Sequence, residues 1–123
     1  MATKNYFING ITELLILSIL NKQDSYVYEM AKAIERDSNN LLSISQNTIY
    51  TATYKLEKEH KISEYSKLVG RKRTRIYYHI EEEGCTFLKE LKKNYLQMTA
   101  GITNIFHLLD ESSQKGGTTN KME

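Results

Sequence analysis

The stretch SQNTIYTATYKLEKEHKISEYSKLVGRKRTRIYYHI, Ser45–Ile80, changes its hydrophobic period part-way along. At its start Ile49, Ala52 and Leu56 recur at intervals of three and four, which marks one face of an α-helix, and Ser45 is a favoured N-cap. This spacing predicts a helix from about Gln46 to Glu59. The opposite face carries Asn47, Thr48, Thr51 and Lys55 and stays free of acid until Glu57. From Lys61 to Val69, and again from Arg75 to Ile80, apolar and polar residues alternate with β-branched and aromatic enrichment. Two strands with Gly70 between them predict a hairpin. Five cations, Lys67, Arg71, Lys72, Arg73 and Arg75, fall between Tyr65 and Ile80 without one carboxylate, and Glu81, Glu82 and Glu83 follow at once. The hairpin tip is therefore basic and projects into solvent.

Before this stretch lie two further helical segments. GITELLILSIL, Gly10–Leu20, is apolar around most of its circumference and predicts a helix buried on most sides. After the polar break Asn21–Ser25, where Asp24 or Ser25 could serve as a cap, a second helix is predicted from about Tyr26 to Arg36 with Val27, Met30, Ala31 and Ile34 inward. Asp37–Asn40 ends it. Beyond the acidic cluster, whose charge suits a helix N-terminus, Leu88, Leu91, Tyr95, Met98, Ile102, Ile105 and Leu109 recur at alternating spacings of three and four. Such a narrow stripe is a coiled-coil seam that calls for a partner helix, and it predicts a homodimer. From Asp110 onward the chain is polar and is expected to form a disordered tail.

Composition sets the outer limits. The 123 residues make one domain by length, and 17 Lys and Arg against 15 acids leave a net charge of only +2, so the clustering of charge is more informative than its sum. Cys85 is the only cysteine, which excludes an internal disulfide and fits a reducing, cytoplasmic setting. No apolar run reaches the roughly 18 to 20 residues of a membrane span. His60, His79 and His107 lack metal-ligand spacing, no nucleophile motif or phosphate-cradling glycine loop occurs, and no cofactor is implied. An enzyme is not expected.

Three helices, then a hairpin with a basic tip, is the order of a winged helix-turn-helix domain over residues 10–81, with a C-terminal dimerisation helix over 82–109. The fold class is thus mostly α with a small β-hairpin. At the level of residues the chain resembles the PadR family of bacterial transcriptional regulators. The likeness rests on GITELLILSIL, on Tyr26-Val27-Tyr28-Glu29 where the family tends to have His-Gly-Tyr-Glu, on Ser45–Leu56, and on GRKRTRIYYHIEEEG through the wing. Where members usually show Ser-Pro-Gly-Thr-Leu-Tyr-Pro, this chain has Ser45-Gln46-Asn47-Thr48-Ile49-Tyr50-Thr51, and it contains no proline. The resemblance implies a dimeric repressor whose partner is double-stranded DNA, and a small aromatic effector between the first and last helices, for which Phe7, Tyr95 and Phe106 are candidates.

Within that frame the residues divide by chemistry. On the third helix Ser45, Gln46, Asn47, Thr48, Tyr50, Thr51 and Lys55 are the candidate contacts, since Asn pairs bidentately with adenine, a Thr methyl meets thymine, and hydroxyls and Lys hold phosphates. On the wing the candidates are Lys67, Arg71, Lys72, Arg73 and Arg75, because a guanidinium grips phosphate bidentately and fits a narrow minor groove. Tyr54 and Tyr77 read as packing aromatics, and Cys85 as packing. The rival reading is a winged-helix protein-interaction module that no longer binds specific DNA, with the altered Gln46-Asn47 start in its favour.

Overall fold

Helix α1, Thr12–Lys22, turns Ile16, Leu17 and Leu20 into the core and leaves Leu14, Leu15 and Ile19 half-buried. The structure is a computed structural model that describes the backbone of residues 10–116 and the side chains of residues 10–111. After α1 come α2 (Val27–Asp37), α3 (Gln46–Lys58), strands β1 (Ile62–Val69) and β2 (Arg73–Ile80), and helix α4 (Glu82–Gly116). The architecture is mostly helical with one two-stranded antiparallel hairpin, as the sequence predicts. Among the described residues, those up to Lys89 form one compact unit and those from Glu90 a second.

In the first unit the expected inward face of α2, Val27, Met30, Ala31 and Ile34, is buried together with Ile44, Ile49, Leu56, Ile62 and Tyr78. Each large aliphatic side chain taken wholly from water contributes roughly 1.5–3 kcal/mol. Leu88 also belongs to this core, at 4% exposure, although its spacing groups it with the seam. Its position in the first turns of α4, within the packed unit, explains the difference. Among neighbouring tyrosines the strand period decides which goes inside: Tyr78 is buried and Tyr77 is not. Tyr54, expected to pack, is 64% exposed, its ring beneath Lys58 Nζ at 5.3 Å.

The helix ends are set by local hydrogen bonds. Ser45 caps α3 by accepting the Thr48 N–H at 3.1 Å. The N-cap of α2 is Tyr26, not Asp24 or Ser25, because Ser25 makes a strand bridge: its N–H donates to the Tyr78 carbonyl and its carbonyl accepts from the Tyr78 N–H. Helices α2 and α3 both end in Schellman motifs. Asn39 and Asn40 (φ 54° and 65°) close the first, and His60 (φ 62°) closes the second, where Lys61 N–H reaches Leu56 O at 2.9 Å and His60 N–H reaches Glu57 O.

Register in the hairpin runs from Ile62↔Ile80 to Val69↔Arg73. Strand β2 therefore starts at Arg73, two residues before Arg75, and the loop is Gly70-Arg71-Lys72. Gly70 holds φ +74°, which a side chain would resist. At the other end of the hairpin Gly84, in the first turn of α4, lies against the β1 entry so closely that a Cβ would stand 2.1 Å from the Lys61 carbonyl oxygen. Helix α4 continues past Leu109, where the polar tail is expected, to Gly116.

Candidate nucleic-acid interface

A cleft of about 540 Å³ opens between the N-terminal ends of α2 and α3 and strand β2. Tyr28, Gln46, Tyr50, Arg73, Arg75 and Ile76 line it, and no carboxylate does. The first turn of α3 also lacks an acid, so the positive end of its dipole is unneutralised there. Because Tyr78 directs both its N–H and its carbonyl to Ser25, away from β1, antiparallel alternation sends the backbone groups of Ile76 and Thr74 to the same open edge. Phenols, guanidinium groups, backbone N–H groups and a helix N-terminus thus converge on one hollow, a combination suited to an anion.

The α3 residues singled out by sequence are not equivalent. Ser45 Oγ donates to Thr48 Oγ1 at 2.9 Å, and Thr51 Oγ1 donates to the Asn47 carbonyl at 3.0 Å, so these hydroxyl protons are engaged within the helix. Gln46 and Asn47 are exposed, and Tyr50 is 53% exposed. Lys55 ion-pairs with Glu13 of α1 at 3.1 Å, and that hydrogen bond raises the lysine pKa. A residue that the sequence reasoning left out of the contacts is Tyr28, 51% exposed on α2 beside Gln46 and Tyr50 in the cleft. Its sequence signals were its place off the apolar face of α2 and its match to the tyrosine of the family's His-Gly-Tyr-Glu, neither of which marks a contact.

On the wing, Arg71 and Lys72 occupy the loop and Arg73 the first strand position, all exposed. Lys67 and Arg75 are cross-strand partners on one face of the hairpin. Arg75 lies 4.0 Å over the Tyr26 ring and Lys67 Nζ 5.1 Å over Tyr77. Among the described residues none of these five cations forms an ion pair. At the far end of α3 the chemistry reverses: Glu57 and Glu64 flank a shallow hollow with Tyr50, Tyr54 and Tyr78, and burial together with the neighbouring Glu64 pushes the Glu57 carboxyl up.

The second unit carries the other predicted surface. Leu91 is half-buried, while Tyr95, Met98, Ile102, Ile105 and Leu109 are exposed along α4. Leu96, Phe106 and Leu108 are exposed as well, so the apolar stripe broadens towards its C-terminal end. Of the effector candidates Tyr95 and Phe106 lie on this helix, and Phe7 is outside the described residues. No helix is long and apolar enough to cross a membrane among the described residues.

Residues 16–90, which span the core, α3 and the hairpin, match the Transcriptional regulator PadR-like family. The chain belongs to the PadR-like family. A transcriptional regulator from Clostridium thermocellum is 34% identical, with a TM-score of 0.73 over 85% of this chain and 97% of that one. A PadR family transcription regulator from Clostridium difficile is 31% identical, with a TM-score of 0.63 over 78% and 97%. An uncharacterized protein from Lysinibacillus sphaericus is 32% identical over 91 residues, 74% of this chain and 84% of that protein. Membership in the PadR-like family implies DNA-binding regulation of transcription, and the acid-free cleft and wing lie inside the matched span.

Proposed function

We propose that this PadR-like chain is a dimeric, sequence-specific repressor that reads an inverted-repeat operator. Helix α3 enters the major groove, where Gln46 and Asn47 approach base edges and Thr51 offers its methyl, while Thr48, Tyr50 and Lys55 hold phosphates and Ser45 caps the helix at that contact. The wing lays Arg71, Lys72 and Arg73 on the flanking backbone or minor groove, with Lys67 and Arg75 behind them. The observation that carries this reading is the cleft between α3 and β2: it is lined by arginines, phenols and a helix start and contains no carboxylate.

Dimerisation through Leu91, Tyr95, Met98, Ile102, Ile105 and Leu109 is supported by their exposure along one stripe of α4. A twofold axis would then set two α3 helices about 34 Å apart, on successive major grooves. An aromatic effector acting through Tyr95 and Phe106 would relieve repression by shifting that separation. Mobility shift with the protein's own upstream region, at moderate salt and against random-sequence competitor, tests the proposal. Retarded complexes that survive competitor are expected. Weak, salt-labile association equal on both DNAs would reject it in favour of a protein-interaction module.

A further inference from the structure

The hairpin projects beyond its own core support. Apart from Ile62 and Tyr78, no β1 or β2 side chain is buried, and Leu68 near the tip is 63% exposed. An isolated two-stranded ribbon is marginally stable in water, so something must fix its angle. That role falls to the segment between α1 and α2. Asp24 accepts a hydrogen bond from the Tyr65 hydroxyl of β1 at 2.7 Å through one carboxylate oxygen, and meets His79 Nδ1 of β2 at 2.8 Å through the other. Ser25 bridges the Tyr78 backbone next to it. Tyr26 then packs edge-on against Tyr77 (centroids 5.3 Å apart), which stacks on Tyr65 at 5.8 Å. One carboxylate therefore grips both strands at once, on the face from which Lys67 and Arg75 rise.

We infer that Asp24, Tyr65 and His79 form a pH-dependent brace that positions the wing for DNA, with Asp24 as the positioning residue. This rests on the DNA-binding reading above. The groups that act on the brace are few. Asp24 is faced by Tyr65 and His79, with Lys67 further off; His79 is faced by Asp24, with Glu81 behind it. Glu81 is itself engaged by the Ser63 hydroxyl at 2.5 Å. The Asp24 hydrogen bond raises the His79 pKa above its ordinary 6.5, and the Tyr65 hydroxyl lowers that of Asp24 below 3.8. The histidine's contribution is fully present below its unfolded pKa and is lost as pH rises through the raised folded value. The aspartate's contribution is present above 3.8 and is lost as pH falls through its lowered value. The brace is thus tightest from about pH 4 to about pH 6.5 and loosens as the pH rises through the raised histidine value above that range.

Charge alone and the brace predict opposite results for one substitution. Asp24→Asn removes a carboxylate from a basic face, which by electrostatics should tighten DNA binding. If the brace positions the wing, D24N weakens binding at pH 6 instead, by about two- to fivefold per protomer for an exposed charge-assisted pair. Tyr65→Phe, which changes no charge, weakens it in the same direction. His79→Asn keeps an N–H donor near the Nδ1 position and removes the titration, so the decline in affinity from pH 6 to pH 8 flattens relative to wild type. Amide exchange at Ser25 and Tyr78, measured without DNA, speeds up in D24N and Y65F. Unchanged exchange in both variants overturns the brace whatever the DNA does; faster exchange with tighter binding overturns its positioning role. If wild type binds no DNA, the DNA reading fails and exchange alone judges the brace.

Discussion

Replacing Arg71, Lys72 and Arg73 together by Ala should change the salt dependence of DNA binding more than any other surface substitution. These three side chains are exposed, stand on or beside the hairpin loop, and form no ion pair among the described residues. Each phosphate they neutralise adds about 0.9 to the slope of log affinity against log salt concentration. Three contacts on each of two wings give a slope change of up to about 5, and between 50 and 200 mM salt that corresponds to roughly a thousandfold in affinity. Lys55→Ala is the internal control. Its ammonium already holds Glu13 at 3.1 Å, so its slope change should be smaller than that of any one loop residue. Fluorescence anisotropy titrations of a labelled operator duplex at four or more salt concentrations would measure both. A triple variant whose slope equals that of wild type would remove the wing from the interface, and a larger effect from Lys55 would invert the expected ranking.

Three further outcomes can be checked on folding and assembly. Gly84→Ala should destabilise by about 1–3 kcal/mol in urea unfolding, because the new methyl would stand 2.1 Å from a carbonyl that is itself held by the Glu81 N–H at 3.0 Å; a change below about 0.5 kcal/mol would mean that the α4 entry yields. Ser45→Ala should cost about 1 kcal/mol through loss of the Thr48 cap, and the same denaturation curve reads it. Ile102→Asp, at an exposed position in the α4 stripe, should shift the protein towards monomer in analytical ultracentrifugation without lowering the helix content of the first unit. An unchanged sedimentation coefficient would place any dimer contact elsewhere.

What could be read from sequence was whatever repeats locally. The face Ile49, Ala52 and Leu56, the cap Ser45 and the turn glycine Gly70 each announce themselves within a few residues, and the structure has α3 and the hairpin there. What stayed hidden depended on tertiary partners. Ser25 forms a one-residue bridge that has no period to detect, and through it the N-cap of α2 moves to Tyr26 and the helix starts at Val27. The Asp24 contacts join residues 41 and 55 positions apart. His60 ends α3 in a left-handed conformation usually announced by glycine. Leu88 obeys the seam's spacing yet is drawn into the core, since periodicity fixes a face and not the surface that meets it. Tyr28 came to light only when the cleft placed it beside Tyr50.

One arrangement reaches beyond single contacts. Along α3 the start is free of acid and looks onto arginines, whereas Glu57 near the other end sits against Glu64 with no cation between them in an ion pair. For an approaching polyanion the head of the helix is purely attractive, whereas the last turn, where Lys55 and Lys58 stand beside Glu57, is mixed in sign. The pull on a duplex is thereby concentrated at the head of the helix before any base edge is within reach, and an acid placed there should weaken the first encounter even with every reading residue intact.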